Sequence, residues 1–213
     1  LPEIWVLMRH PTQQAIALSG LFLGASLIGI IGYFPVWVQA IHHGSPMEAG
    51  IALIPLSVAW TCTSFVAGRL VEKTGFQPLA RAGAICVSVG TMIAVEWPIS
   101  QLGLVLFGVG MGFCISIFNV ACQEAAPTAL RGTATSIAML SRSVGSGVGI
   151  ALFGVLAGFE PEITNFAAIP ELSDGLIRIF QAIGHSAAIA AVIILVRFPR
   201  DSVTQDGIKT PLE

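Results

Sequence analysis

Among the residues able to do chemistry, Arg142 has the least expected setting. It stands about 11 positions into an apolar run that begins near Gly132, which at about 1.5 Å per helical residue is roughly 16 Å, close to the middle of a bilayer. A guanidinium at that depth costs about 2.5–3.5 kcal/mol on insertion scales, so it must face a bundle interior or water. Two roles fit: a clamp on backbone carbonyls, or a part in substrate binding, proton coupling or state switching. In the last apolar run Arg178, Gln181 and His185 fall at i, i+3 and i+7, on one helical face. His185 offers a proton relay, because imidazole changes charge near physiological pH; a histidine satisfied by its neighbours is the alternative. Gln39 and Asn119 place amide groups in two further runs, and Glu124 lies near the end of one, where interfacial ion pairing suits it. The adjacent His42 and His43 lack further ligands for a metal.

These residues need elements that hold polar groups inside hydrocarbon. Of the 213 residues 54% are hydrophobic and only 10% charged, and the mean hydropathy is +0.84, whereas soluble domains carry about 25% charged residues. Six runs are long enough to cross a membrane, at approximately 14–40, 49–68, 79–97, 101–122, 132–158 and 175–198. The fold class expected is an all-α membrane protein, one bundle of six transmembrane helices, with no soluble domain in the polar stretch Phe159–Asp174. Gly29, Gly32 and Pro35 break the first run near one end, as a hinge or as a static kink.

Basic residues fix the orientation, since they are retained on the cytoplasmic side. Arg9, then Arg69, Lys73 and Arg81, then Arg131, then Arg197, Arg200 and Lys209 flank one side. Glu48, Glu96, Glu160, Glu162, Glu171 and Asp174, with Arg178, flank the other. Both termini are therefore expected in the cytoplasm. A net charge of −2 supplies no field for nucleic acid. Two lysines, no phosphate-binding loop, no G-x-S-x-G and no aspartate before Asp174 remove the usual parts of an ATP-driven pump or an intramembrane protease. No cofactor or metal is expected, and Cys62, Cys86, Cys114 and Cys122 read as small buried thiols. Glycines at helical spacing, Gly108 and Gly112, Gly145 and Gly149, Gly154 and Gly158, permit close helix approach. The ridge from Gly145 to Gly149 serves either static packing or sliding between two conformations.

Three stretches carry a family resemblance. GRLVEKTGFQPLARAG, from Gly68 to Gly83, resembles the G-x-L-x-D-R-x-G signature of the major facilitator superfamily in its carboxy-terminal copy, with Glu72 for the usual Asp and no basic residues directly after Gly75. Gly68 and Gly75 suit a tight reversal there, and Lys73 holds it in the cytoplasm. Pro35, Gln39, Ser45-Pro46, Ala49-Gly50 and Pro55 resemble the P-x-x-x-Q…S-P-x-x-A-G-x-x-x-x-P pattern of the fourteen-helix drug:proton antiporters, although Gly44 comes one place late and His43 stands at the usual glycine. Pro127 to Ala134, followed by Arg142-Ser143-Val144-Gly145, resembles the P-x-x-x-R-G-x-A…R-x-x-G run of the same family.

The resemblance implies one half of a major facilitator fold, the carboxy-terminal six-helix bundle over residues 1–213, with its amino-terminal bundle absent and the chain, opening on Leu1, beginning partway through a longer gene product. It implies a proton-coupled exporter of hydrophobic or amphiphilic small molecules in a bacterial inner membrane, not an enzyme. Its partners are lipid, protons, an apolar substrate and the missing bundle. Substrate and proton pathway candidates are Arg142, His185, Gln181, Gln39 and Asn119; conformational candidates are Gly68, Glu72, Lys73, Gly75, Gly145 and Gly149. Phe34, Trp37, Trp60, Phe107 and Phe118 could line an apolar cavity. An uptake carrier of a small metabolite, and a non-transporting fragment acting as an interaction module, are the rival readings.

Overall fold

A computed structural model describes residues 7, 9–41, 43–96, 101–156 and 169–198. Each apolar run forms a helix: α1 Pro11–Ile41, the short α2 Pro46–Ile51, α3 Ile54–Thr74, α4 Phe76–Glu96, α5 Gln101–Glu124, α6 Arg131–Leu156 and α7 Ile169–Arg197. A single 3-10 turn, Thr128–Leu130, leads into α6. Six of these helical segments are long and apolar enough to cross a bilayer, α2 joining α3 in one of them. The polar stretch between α6 and α7 lies largely outside the described residues, as do His42, Trp97, Gly158, Glu160, Glu162, Arg200 and Lys209.

Two ends differ from the sequence expectation. The second span continues past Gly68 to Thr74, because Arg69-Leu70-Val71-Glu72-Lys73 are all compatible with helix. The reversal is confined to Gly75, which takes φ 79°, while its N–H closes on the Val71 carbonyl at 2.9 Å. Gly68 is a helical residue with open space where a Cβ would stand. At the start of the same span, Ser45-Pro46-Met47-Glu48 builds a capping box. The Glu48 N–H donates to Ser45 Oγ at 3.2 Å and the Ser45 N–H to Glu48 Oε2 at 2.7 Å, with Pro46 at the first helical position. The S-x-x-E spacing was the readable signal for this cap.

The helices pair in an exchanged pattern. α1 packs mainly on α6 and α7, α5 packs mainly on α3 and α4, and α4 closes on α7. Taking α1, α3 and α4 as one trio and α5, α6 and α7 as the next, the first helix of each is clasped by the second and third of the other. Glycine makes the close seams possible where lipid gives helices no hydrophobic reason to associate. A Cβ on Gly145 would strike the Leu21 carbonyl, and one on Gly24 the Arg142 carbonyl. On α5, Gly112 faces α3, where a Cβ would come 2.8 Å from the Trp60 carbonyl oxygen.

Three hydrogen bonds run along the α1–α6 seam: Gln13 Nε2 to the Ala134 carbonyl at 3.0 Å, Ser146 Oγ to the Gly24 carbonyl at 3.0 Å, and Tyr33 Oη to the Ile150 carbonyl at 3.2 Å. Phe34, Phe107 and Phe180 are among the largest fully buried side chains, and Trp37 meets Phe180 edge to face at 5.5 Å.

Burial is uneven. Within its most apolar window α5 is 56% buried, but the spans holding α3 and α6 are each only 17% buried. Ile54, Val58, Phe65 and Val66 on α3, and Leu140, Val144, Val148 and Val155 on α6, stand exposed.

Candidate functional site

Arg142 belongs to the α6 stripe Ala138–Arg142–Gly145–Gly149, at successive spacings of four, three and four, that faces α1. Its backbone is pressed on Gly24, where an added Cβ would also lie 3.1 Å from Arg142 Cγ. The side chain is half-buried, and among the described residues no hydrogen bond or ion pair reaches its guanidinium.

His185 lies on α7, exposed, with ring Nδ1 2.6 Å from the Gln181 carbonyl oxygen. A carbonyl only accepts, so Nδ1 carries the hydrogen, and in a ring with one proton Nε2 is left as the acceptor. Gln181 contributes that carbonyl, while its amide is exposed.

The other polar candidates lie apart. Gln39 is exposed, its Nε2 donating to the Pro35 carbonyl at 3.2 Å. Asn119 is half-buried on α5, and its carbonyl accepts from Cys122 Sγ at 3.3 Å. Glu72 and Lys73 are exposed at the end of α3. Of the five aromatics, Phe34 and Phe107 are core residues, 1% and 0% exposed; Phe118 stacks on Phe198 at 5.9 Å.

Three candidates do converge. Gly145, Gly149 and His185 line one apolar trough of approximately 720 Å³ whose floor is α1 and whose walls are α6 and α7. Leu21, Phe22 and Ala25 form the floor, and Leu152, Phe153 and Ile189 are among the wall residues. The trough exists because α6 and α7 each pack closely on α1 and only slightly on each other. The polar side chains of its lining are His185 and Ser186. Ser186 is tied to the bundle: its Oγ donates to the Ile183 carbonyl at 2.8 Å and lies 2.7 Å from Ser26 Oγ. Sequence reasoning found His185 by its depth but had no signal for the trough, whose lining comes from helices more than 100 residues apart.

One contact outside the trough was also missed. Arg81 Nη2 donates to the Leu195 carbonyl at 3.3 Å and Gln77 Nε2 to the Phe198 carbonyl at 3.2 Å. The start of α4 thereby caps the end of α7, whose terminal carbonyls otherwise lack helical partners.

Comparison with known proteins agrees with this six-helix arrangement. The chain is 28% identical over 156 residues to the multidrug transporter protein MdtP of Bacillus subtilis, covering 70% of this chain and 29% of that protein. With the efflux pump aflT of Aspergillus parasiticus it shares 33% identity over 132 residues, 57% of this chain and 26% of the relative. A multidrug resistance protein B homolog of Mycobacterium tuberculosis is 25% identical over 175 residues, 73% of this chain and 32% of its own length. The chain thus spans about a third or less of these relatives. Residues 1–150 match the Major Facilitator Superfamily as a family. Six apolar helices, paired around glycine seams, and a family match over most of the sequence lead to one assignment: this chain is an integral membrane protein that belongs to the major facilitator superfamily.

Proposed function

We propose that the chain is one six-helix bundle of a proton-coupled exporter of hydrophobic or amphiphilic small molecules, working against a second bundle by alternating access. The observation that carries this reading is the pairing of a half-buried, unpartnered Arg142 with the largely uncovered faces of α3 and α6. A guanidinium within hydrocarbon needs water, a ligand or a hydrogen-bonding helix, and among the described residues of this bundle none bonds to it. The α3 face also carries Ser57 and Thr61, whose hydroxyls bond back to their own helix, and Arg69 stacked 4.4 Å over Phe65. Such mixed faces suit contact with protein and a water-filled path better than contact with lipid alone. The names of the relatives, a multidrug transporter and an efflux pump, support the direction and the substrate class. No covalent chemistry is required; the work is proton transfer and conformational exchange. Both termini face the cytoplasm of a bacterial inner membrane, in keeping with the basic residues on one side. Proton-driven efflux from proteoliposomes tests the proposal: a protein holding both bundles should export an apolar dye in exchange for protons entering down an imposed gradient, and gradient-independent or inward-only movement would refute it.

A further inference from the structure

We propose that the trough between α6 and α7 is a binding site for a neutral, lipophilic molecule that carries one hydrogen-bond donor, a phenol, alcohol or amide N–H, which His185 Nε2 accepts. The proposal concerns binding to this bundle alone and stands whether or not the chain is part of an exporter.

The volume, approximately 720 Å³, falls within the range of small-molecule pockets, about 300–1,000 Å³. Among the described residues its lining is apolar apart from two side chains, and both are turned into acceptors. The Nδ1–H of His185 is engaged by the Gln181 carbonyl, so a ring with one proton keeps a lone pair on Nε2 for a guest. The hydroxyl hydrogens of Ser186 and Ser26 are drawn to the Ile183 carbonyl, the Phe22 carbonyl and each other. Two hydrogens facing four internal acceptor oxygens leave none for a guest.

An acyl chain would fill the volume but leave Nε2 without a hydrogen-bond partner in hydrocarbon, which is unfavourable. A cationic amine would satisfy Nε2, yet among the described residues no acidic side chain lines the trough to balance its charge. A neutral donor meets both conditions.

The test uses the full 213-residue chain in phosphatidylcholine nanodiscs, with a 4-alkylphenol bearing a mid-chain diazirine as photolabel. Label should concentrate in peptides around Leu152 and Ile189. 4-Dodecylphenol should compete at a concentration about ten-fold below that needed by its methyl ether, a ratio of the size one net hydrogen bond supplies. His185→Phe should erase the difference between phenol and ether, His185→Gln should keep part of it, and Leu152→Trp should block both competitors. With imidazole-¹⁵N-labelled chain, the Nε2 resonance of His185 should move with the phenol and stay still with the ether, a readout on unaltered protein. Equal potency of phenol and ether on the unaltered chain, an unmoved Nε2 resonance, or label spread evenly over all helices as from annular lipid would each overturn the proposal.

Discussion

A guanidinium held halfway inside α6 with no hydrogen-bond or ion-pair partner among the described residues behaves differently from one at the bundle's edge, and substitution by lysine separates the two. Arg142 would engage another helix or a ligand through a planar fork of donors, which an ammonium does not reproduce. In the proposed two-bundle exporter, Arg142→Lys should lose most efflux with expression and insertion unchanged. Arg69→Lys should retain it, because an exposed cation stacked on Phe65 needs only charge and reach. Normal efflux by well-folded Arg142→Lys and Arg142→Ala proteins would reduce Arg142 to a packing residue. The turn after α1 offers a second expectation at this scale. His43 occupies the left-handed region with φ 52°, and Gly44 follows it in a cramped place, where a Cβ would lie 2.9 Å from Val38 Cγ1. The glycine of the turn thus sits where space is short and not where the backbone is strained. His43→Gly should raise thermal stability in detergent by up to about 1 kcal/mol, while Gly44→Ala should lower it.

Glycines of one helix can be told apart by what they face. Gly145 meets the backbone of Leu21, whereas Gly147, two residues on, has nothing within 4 Å of where a Cβ would stand. Gly145→Val should therefore part α1 from α6 and cost about 1–3 kcal/mol or more by overpacking. Gly147→Val should leave the melting temperature of the bundle unchanged. If a second bundle covers the α6 face, the same Gly147→Val protein should fold and yet lose efflux; full efflux would show that this face meets nothing. The existence and order of the helices could be read from the sequence because hydropathy is a local property summed over about 20 residues. The family resemblance was legible for a similar reason, since motifs such as Pro35–Gln39 and Pro127–Ala134 are contiguous. Contacts between distant segments were not. Arg81 reads as a basic loop residue, but it caps α7 across 114 positions, and nothing in the spacing of either segment announces that bond. Gly68 reads as a turn residue because glycine serves both turns and exposed helix faces, and only the backbone at Gly75 decides between them.

The exchanged pairing governs how the whole molecule can assemble. α1 finds its main partners in α6 and α7, through bonds as distant in sequence as Ser26 to Ser186, 160 positions apart. When the first four spans have been made, α5 can already clasp α3 and α4, but α1 still lacks both of its seams. Its Gln13, 1% exposed in the bundle and bonded to Ala134, would then be left without that carbonyl. A chain stopped after Glu124 should insert its helices yet hold α1 loosely. Pulse proteolysis in nanodiscs should cut it in or near α1 while sparing α3 to α5, and the full chain should resist under the same conditions. Cysteines at Ala25 and Gly149, where an added Gly149 Cβ would lie 2.7 Å from Ala25 Cβ, give a second readout. Because so short a distance leaves no room for two sulfurs, the pair should weaken the full chain, whereas in the truncated chain, which has no residue 149, the one remaining cysteine at position 25 should have no effect. Equal protection of α1 in the truncated and full chains would mean that α1 packs on α3 to α5 in a way this structure does not contain, and the exchanged arrangement of the two trios would have to be abandoned.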